Sequence, residues 1–485
     1  MATINQTSVR EEVDRLKQEF EQLCSDGKVS TEIRVVMNSL LVVVELILSV
    51  FLEKKTRKNS KNSSLPPSQT EKDETAAEHP ASKGKGKKVD GRISNTRVKE
   101  SVITAKVEVC DVCGMVLDNV PCQGHERRTK IDIVFEKVVE HVDAEIKQCP
   151  NCEATVKGQF PDDMPGKLQY GSGLKAFVIH LVISQMIALN RVQKQIAAMI
   201  GTVISEASLL KFVLRLYQSL EAWESGAVER LLQTPSMHVD ETSFRVEREN
   251  HWIHVYSSGG TTLKVLHRKR GKEAIEGLNI IPRYGGVIIH DCWASYLSYD
   301  HCGHGLCGSH LLRELAFVID SNQYRWAGNM NTLVQQTCRT VAQRPEKSLT
   351  EQEYVNLQER YRTILTDGGR ELPEIPKKPQ GKRGRMAKSD AHNLWERLKK
   401  HEAAVLLFAK EPHVPFTNNR AERDLRMAKV KQKISGCFRR KQYAQAYCRI
   451  SSYLQTMANQ GVNPLVAIQL ALAGTIPGAE PNRGE

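Results

Sequence analysis

The stretch Met237–Val246, MHVDETSFRV, constrains the chain most, because it places an acid in the middle of a predicted strand. Its apolar residues are separated by polar ones, which is typical of a half-buried strand. Asp240 lies near the centre, and Glu241 follows it. A carboxylate is costly to bury in a strand unless it is paired or binds a metal. The stretch therefore predicts an ion pair or a metal site at Asp240.

Two further acids occur in comparable surroundings. Asp291 follows the apolar run Val287–Ile289, and Glu422 lies in Phe416–Met427, which is typical of the start of a helix. Two aspartates on neighbouring strands and a glutamate on a helix could hold two divalent cations about 4 Å apart for phosphoryl transfer. The sequence thus makes Asp240, Asp291 and Glu422 a candidate metal site.

The segments after Met237 predict a strand meander, then a helix, a strand and a helix. The predicted elements are the strands Asn250–Tyr256 and Thr261–His267 around a Gly259-Gly260 turn, the helix Gly271–Leu278, the strand ending at Asp291, the short strand His304–Ser309 and the helix His310–Asp320. This is the ribonuclease-H-like order, which puts Asp240 and Asp291 on adjacent strands. We therefore predict an α/β multidomain protein with a ribonuclease-H-like catalytic core.

Length and charge restrict the partners of the chain. Its 485 residues predict several domains, and a net charge of +13 with a pI near 9.1 favours polyanionic partners. The first thirty residues are polar and charged, so no secretory signal is expected. Val35–Leu52 is apolar but contains Glu45. A central acid costs about 3 kcal/mol on insertion into a bilayer, so a buried or self-associating helix is favoured over a membrane span.

The N-terminal region predicts helices followed by a linker. Apolar residues are spaced four and three apart at Val9, Val13, Leu16, Phe20 and Leu23. This spacing indicates either a short coiled coil or an amphipathic helix that folds back on Val35–Leu52. The Ser-, Pro- and Lys-rich segment Arg57–Gly91 predicts a disordered tether, in which Lys83–Lys88 could contact phosphates.

Two CxxC pairs predict a structural zinc site. Cys110 with Cys113 and Cys149 with Cys152 could supply four thiolates in a tetrahedral arrangement. A hairpin over Arg127–His141 would fill the long gap between the pairs. The alternative is a compact ligand set formed by Cys110, Cys113, Cys122 and His125. Close CxxC pairs favour metal binding in a reducing compartment over disulfides.

Leu174–Leu220 is helical by pattern and contains the outline of a helix-turn-helix. The helix Val192–Met199 precedes a turn with Gly201, and Ser205 can cap a second helix whose first turn contains Glu206. A DNA-reading role and a packing role are both compatible with this pattern, because few basic residues lie early in the second helix.

The C-terminal third predicts a helical insertion and a basic run. Asp320–Pro415 is mostly helical and is interrupted by the tether Glu371–Lys388, and Ser451–Gly474 is a closing apolar helical segment. The basic residues that follow Glu422 are Arg423, Arg426, Lys429, Lys431, Lys433, Arg439 and Arg440. Such a run beside a carboxylate site suits a DNA backbone, and a solvated helix face is the alternative.

These predictions divide the chain into seven parts. They are the N-terminal helices at 1–56, a basic linker at 57–100, a zinc-finger module at 101–160, a helical DNA-binding domain at 161–232, the first part of the ribonuclease-H-like core at 233–320, the helical insertion at 321–415 and the completion of the core at 416–485.

Four motifs resemble the DDE transposases of the insertion-sequence sixty-six family. They are HVDETSFRV, HDCWASYLSY, LCGSHLLREL and FTNNRAERDLRMAKVKQKISGCFR, in order and with compatible spacing. The resemblance runs from about Cys110 to the C-terminus. It implies a catalytic triad of Asp240, Asp291 and Glu422 that binds Mg²⁺ or Mn²⁺. Since neighbouring side chains on a strand point to opposite faces, we expect Glu241 to point away from these ions or to support them indirectly.

The resemblance also implies that Zn²⁺ is held by Cys110, Cys113, Cys149 and Cys152. Relatives often carry Gly at the position of Glu153, which is a departure within the second pair. Candidate supporting residues within the other motifs are His310, Arg313, Asn418 and Asn419.

The implied function is a transposase that cleaves transposon ends and joins the freed 3′-OH to target DNA. The expected partners are transposon-end and target DNA, further copies of the chain assembled on DNA, and accessory proteins of the same element, in a bacterial cytoplasm near the nucleoid and away from membranes. Two alternatives stay open. One is a ribonuclease-H-like nuclease that cuts without joining, and the other is a catalytically dead zinc and helix-turn-helix DNA-binding regulator.

Overall fold

The computed structural model describes residues 6–26, 29–30, 33–34, 36–40, 101–133, 135–375 and 388–477. The chain divides into two compact units. A helical unit takes in the described parts of 1–81 and 305–417, and an acid-bearing unit takes in the described parts of 82–304 and 418–485. The predicted linker Arg57–Gly91, including Lys83–Lys88, lies outside the described residues, as do most of Val35–Leu52 and most of Glu371–Lys388.

The first element is a helix, residues 33–34 and 36–40 are also helical, and the next elements are two short strands. These are α1 (Gln6–Ser25), β1 (Ile146–Gln148) and β2 (Thr155–Lys157). The helix agrees with the predicted amphipathic segment, and Leu16 and Leu23 are exposed on it. The choice between a coiled coil and a folded-back helix stays a prediction. Among the described residues, no helix is long and apolar enough to cross a membrane.

The predicted hairpin over Arg127–His141 is wrong, because the described residues of that segment form no strand. The antiparallel pair β1–β2 instead brackets Cys149 and Cys152. A CxxC turn reverses the chain over a few residues, so the segments on either side of it are the ones that meet and pair.

Helices precede the main sheet. They are α2 (Ser172–Ile179), α3 (Leu189–Ile200), α4 (Glu206–Ser219) and α5 (Glu221–Leu232), and the π-helix His180–Ser184 follows α2 directly. Leu174–Leu220 is therefore not one helix. Gly201 ends α3 in the left-handed conformation (φ 63°), and the Ser205 hydroxyl accepts a hydrogen bond from the Ser208 N–H at the start of α4. The predicted helix, glycine turn and serine cap are confirmed.

A five-stranded sheet forms the centre of the acid-bearing unit. The strands are β3 (Ser236–Val246), β4 (Glu249–Ser258), β5 (Thr261–His267), β6 (Val287–His290) and β7 (Gly303–Leu306), and α6 (Lys272–Leu278) lies between β5 and β6. Their order in the sheet is β5-β4-β3-β6-β7. The first three pair antiparallel as a meander, and β6 pairs parallel with β3. The predicted adjacency of the strands that lead to Asp240 and Asp291 is confirmed.

Tight turns join the meander. Glu247 and Arg248 connect β3 to β4 with positive φ values of 53° and 68°, the conformation that suits the right-handed twist of a two-residue hairpin. Gly259 (φ 50°) and Gly260 connect β4 to β5 where the sequence predicts a turn.

β3 packs on both faces. Met237 and Val239 belong to one core with Tyr256 and Ile288, while Phe244 and Val246 belong to another. The second core lies against helices α2–α5 and the C-terminal helices. The expected half-buried strand is therefore a buried one, and its carboxylates are removed from water more completely than the alternation suggests.

The helical unit contains α7 (Gly308–Asn322), α8 (Arg325–Gln343), α9 (Glu351–Glu371), α10 (Asp390–Lys400) and α11 (Glu402–Lys410). Thr350 and Glu353 form a capping box that fixes the start of α9. Arg397 pairs with Glu314, which ties α10 to α7. Because α7 belongs to this unit, the helical body begins near residue 305, upstream of the predicted boundary at 321.

The chain ends in three helices of the acid-bearing unit. They are α12 (Asn419–Ser435), α13 (Lys441–Asn459) and α14 (Pro464–Leu472). The predicted closing segment Ser451–Gly474 is split between the last two, because Gly461 adopts a positive φ of 81° and Pro464 starts a new helix.

Candidate active site

Asp240, within β3, and Asp291, directly after β6, lie at the same level of two neighbouring strands. In the parallel pair β3–β6, Met237 lies opposite Ile288 and His238 opposite Ile289. Asp240 and Asp291 each follow the last of these pairs by two residues. The register therefore brings the two carboxylates to one edge of the site.

Asp240 lies in a field of like charges. Its Oδ1 accepts a hydrogen bond of 2.8 Å from the N–H of Glu241. Burial raises the pKa of Asp240 well above its ordinary value, and the negative charges of Glu241, Asp291 and Glu422 raise it further. The charges of Asp291 and Glu422 thus act on Asp240 within a single compact unit. Among the residues that the structure describes, the three acids do not offer one oxygen each such that all three oxygens lie within 4.8 Å of one another.

The third acid is delivered by a helix that is tied to β3. Glu422 lies in the first turn of α12, and Asn418 directly precedes the helix. The buried Asn418 amide donates from Nδ2 to the carbonyl oxygen of Val239 at 2.8 Å. Its Oδ1 lies 2.9 Å from Nδ1 of His238. One side chain therefore joins the start of the Glu422 helix to the strand residues that precede Asp240.

Two more polar contacts hold α12 along the sheet. The buried Asp424 carboxylate accepts hydrogen bonds from Ser257 Oγ at 2.7 Å and Thr262 Oγ1 at 2.9 Å, on β4 and β5. Lys429 Nζ donates to the carbonyl oxygen of Ser243 at 3.0 Å and lies 3.1 Å from its hydroxyl. The helix is fixed to three strands, which restricts where Glu422 can lie.

Comparison with known protein families gives one match. The sequence model of the family described as "Transposase IS66 family" matches residues 167–446, more than half of the 485 residues. The chain belongs to the IS66 transposase family. The matched range contains Asp240, Asp291 and Glu422, and it excludes both CxxC pairs. No curated protein matches the chain.

Glu241 has its own partners in this IS66 family member. Its Oε2 accepts a hydrogen bond of 2.6 Å from the Tyr296 hydroxyl, and its Oε1 lies 2.7 Å from the guanidinium of Arg270. Arg270 in turn contacts two indole rings, with its Cζ 4.4 Å from the ring centroid of Trp293 and 5.0 Å from that of Trp252. Burial raises the pKa of Glu241, and the contacts with Tyr296 and Arg270 oppose that rise. Glu241 is thus held by an ion pair, whereas Asp240 faces the other acids.

The turn that carries Asp291 is fixed by a chain of histidines. The N–H of Cys292, a residue with φ 70°, donates to His290 Nδ1 at 3.1 Å, so the proton of His290 is on Nε2. His290 Nε2 lies 3.1 Å from Nδ1 of His304, and Nε2 of His304 lies 3.3 Å from the carbonyl oxygen of Tyr299. Burial lowers the pKa of His304, which favours the neutral rings that this chain requires.

Several of these residues could not be predicted from the sequence. Nothing in the motifs distinguishes Arg270 or Tyr296 as partners of Glu241, and His238 and Asp424 pair with residues about 160 to 180 positions away. Asn418 was a predicted supporting residue, and the structure gives it specific partners. Its neighbour Asn419 is exposed.

The predicted basic run is divided by burial. Arg423, Arg426, Lys433, Arg439 and Arg440 are exposed, whereas Lys429 and Lys431 are half-buried. Burial lowers the pKa of both lysines. The exposed members are therefore the better candidates for contacts with a polyanion.

His310 and Arg313 lie on α7 and belong to the helical unit. The backbone N–H of His310 donates to the carbonyl oxygen of Cys307 in the first turn of this helix. Their predicted supporting role remains a prediction.

The two CxxC pairs adopt the same turn. The N–H of Gly114 donates to the carbonyl oxygen of Cys110 at 2.9 Å, and the N–H of Glu153 donates to that of Cys149 at 2.9 Å. Gly114 and Glu153 both have positive φ, at 75° and 55°. Glu153 thus keeps the glycine-like turn at a position where a side chain is strained.

Hydrogen bonds favour thiolates at the first cysteine of each pair. The N–H groups of Cys113 and Val112 lower the pKa of Cys110. Cys152 and Asn151 do the same for Cys149. Within the described residues, no three of the four thiols have sulfur atoms all within 4.8 Å of one another.

The alternative ligand pair is also close together. Cys122 Sγ lies 3.8 Å from Nδ1 of His125. The structure therefore places the potential zinc ligands in three pairs, which are Cys110 with Cys113, Cys149 with Cys152, and Cys122 with His125. Among the described residues, it brings together neither of the predicted four-ligand sets.

Proposed function

We propose that this chain is a DNA transposase that cleaves transposon ends and joins the freed 3′-OH to target DNA by two-metal-ion phosphoryl transfer. One observation carries the proposal. Asp240 within β3 and Asp291 directly after the parallel strand β6 lie at the same level, and a helix that Asn418 ties to β3 carries a third acid whose charge acts on Asp240. Membership of the IS66 transposase family supports the same activity.

We further propose that the sheet is a ribonuclease-H-like core. Its antiparallel meander β3–β4–β5 is extended beside β3 by the parallel strand β6 and then by β7. This is the order inferred from the sequence. It explains why Asp240 and Asp291, about fifty residues apart along the chain, lie at the same level of two neighbouring strands.

The acids suit divalent cations. The charges of Asp291 and Glu422 raise the pKa of Asp240, so the carboxylate form of Asp240 is stabilised when positive charge is brought close to it. Asp240, Asp291 and Glu422 would hold Mg²⁺ or Mn²⁺, which when bound activates the attacking oxygen and stabilises the leaving 3′ oxygen. Since two ions would be shared among the three acids, the oxygens of Asp291 and Glu422 need not be in contact with each other.

The chain's other residues keep the acids in place. Asn418 and Asp424 hold the Glu422 helix against the sheet. Arg270 and Tyr296 each bind the carboxylate of Glu241. The proposed mechanism needs no covalent enzyme intermediate, and the side chains described above supply charge and position.

We also propose that Cys110, Cys113, Cys149 and Cys152 share one structural zinc. The matching turns and the lowered pKa values of Cys110 and Cys149 support a thiolate site. The close approach of Cys122 and His125 keeps the compact set as the competing candidate.

The test of the catalytic proposal uses the element's own terminal DNA. Asp240→Asn, Asp291→Asn and Glu422→Gln should each abolish end cleavage and leave DNA binding nearly intact, because metal-binding charge is lost rather than the fold. Glu273→Gln, which changes an exposed acid on α6, is the matched control and should cleave normally. Normal cleavage by any of the three site variants would refute the assignment of that residue.

A strand-transfer assay separates the candidate functions. A pre-cleaved end with a free 3′-OH is mixed with target plasmid and Mg²⁺, and joined products are counted. Joining supports the transposase. Cleavage of intact ends in the first assay without joining in the second supports the nuclease, and DNA binding without cleavage or joining supports the catalytically dead regulator.

A further inference from the structure

The segment after α12 is attached to the turn between β3 and β4. Phe438 donates its N–H to the carbonyl oxygen of Arg245 at 3.0 Å, and Glu247 donates its N–H to the carbonyl oxygen of Phe438 at 2.9 Å. These bonds form a parallel bridge between Val246 and Phe438. The N–H of Lys441 also donates to the Glu247 carboxylate at 3.0 Å. Two regions almost 200 residues apart in sequence therefore form one edge.

The attachment is anchored in the core. The ring of Phe438 lies 5.4 Å from that of Phe244 and 5.8 Å from that of Tyr447, measured between centroids. Lys431 Nζ covers the same ring at 5.6 Å from its centroid. Gly436 turns the chain out of α12 with φ 71°. The segment is consequently fixed in position and can present its side chains predictably.

The edge is strongly basic. Arg245, Arg248, Arg439 and Arg440 are all exposed, and we name these four residues the basic rim. Two carboxylates lie in the same turn region. Glu247 accepts the N–H of Lys441, and Glu249 pairs with Arg268 at 3.2 Å. Positive charge is therefore in excess on the rim.

The rim lies at the far end of the strand that carries Asp240. Helix α12 follows β3 in the same direction, since Asn418 contacts Val239 and Lys429 contacts Ser243. Arg245 is five residues beyond Asp240, which is about 17 Å at roughly 3.4 Å per residue. A DNA duplex rises about 3.4 Å per base pair, so this distance corresponds to about five base pairs.

We propose that the basic rim docks the phosphate backbone of duplex DNA about five base pairs from the position held at the acids. Arg245 and Arg248 come from the strand turn, so the rim adds a second chain segment to the basic run after Glu422. The location relative to the cleaved bond rests on the proposed function, whereas the affinity for duplex DNA does not. Charge on fixed, exposed arginines suits phosphate contacts that set the position of the duplex without reading its sequence.

The experiment uses the full chain and a random-sequence 30-base-pair duplex, about 30 being enough to span both regions. Binding of the wild type and of Arg245→Ala/Arg248→Ala is measured by fluorescence anisotropy between low and moderate salt. Each lost phosphate contact reduces the slope of log affinity against log salt by about 0.9, so we expect a change of about two. Thermal melting checks that both proteins are equally folded.

Arg339→Ala/Arg360→Ala is the control, because it removes the same charge from exposed positions on α8 and α9 of the helical unit. An unchanged slope in the rim variant, or an equal change in the control, would overturn the proposal. The same titration is made with an RNA duplex of the same sequence. If the rim variant loses affinity for RNA and not for DNA, the proposal is also overturned. Loss of cleavage in Glu422→Gln together with an unchanged rim slope would reject the rim alone and keep the proposed function.

Discussion

Asn418→Ala is the most informative single change, because Asn418 links β3 directly to the start of the helix that carries Glu422. Its side chain makes no capping hydrogen bond to its own helix. It bonds instead to the carbonyl oxygen of Val239 and to Nδ1 of His238. The substitution therefore tests tertiary positioning rather than helix capping.

The cost in stability follows from these two bonds. A buried hydrogen bond contributes about 1 kcal/mol net, and a buried partner left without one costs about 1–3 kcal/mol. Because Asn418 is only 1% exposed, water cannot replace its amide without rearrangement. We expect Asn418→Ala to lower the free energy of unfolding by about 2–4 kcal/mol.

The effect on function should exceed that of destabilisation alone. Removal of an indirect support of a metal ligand typically reduces metal affinity or activity by about 10- to 100-fold. We therefore expect end cleavage by Asn418→Ala to fall by a factor in this range and the half-saturating Mn²⁺ concentration to rise. Calorimetric titration of Mn²⁺ into the protein gives a second measurement that does not depend on cleavage.

Leu216→Ala is the control for stability. Leu216 is a fully buried residue of α4. Its truncation should lower the free energy of unfolding by about 2–5 kcal/mol without changing any of the three acids. Both variants are assayed at a temperature where each is folded. If Asn418→Ala and Leu216→Ala show the same Mn²⁺ affinity and the same cleavage rate, the positioning role of Asn418 is refuted.

Two further predictions concern the CxxC pairs. Purified protein should contain about one zinc per chain, and Cys149→Ser should lose it; full zinc in that variant with loss in Cys122→Ser would select the compact ligand set instead. Glu153→Gly should relieve the positive φ at this position and tighten zinc binding by about 1 kcal/mol, roughly fivefold in a chelator competition, whereas Gly114→Ala should weaken it; no difference between these variants would contradict the strained-turn explanation.

The sequence predicted the strands of the sheet well because their pattern is local. The β-branched and aromatic residues of β3 and β4 and the Gly259-Gly260 turn identify these elements within a few residues. The order of the elements then implied the adjacency of β3 and β6, which the structure confirms. Helix ends marked by Gly201 and Ser205 were also predictable, since their signals are capping residues.

The parts that failed or were missed depend on distant contacts. The described residues of Arg127–His141 form no strand, and the strand pair lies around Cys149 instead, so local alternation was not sufficient to predict a hairpin. Arg270 pairs with Glu241 across 29 positions, and Asp424 pairs with Thr262 across 162. A periodic pattern contains no information about such partners, so the residues that position the acids became visible only in the folded chain.

The negative charges around Asp240 explain why α12 makes several polar contacts with the sheet. Burial and the negative charges of Glu241, Asp291 and Glu422 raise the pKa of Asp240, so a charged Asp240 is unfavourable beside Asp291 and Glu422. Without restraint, the helix would relax away from the sheet and take Glu422 with it. Asn418, Asp424 and Lys429 supply the restraint through contacts with three strands. In the proposed function, divalent cations would offset the negative charge of these acids. The contacts of Asn418, Asp424 and Lys429 therefore hold an arrangement that is unfavourable by itself and that the proposed cations would make favourable.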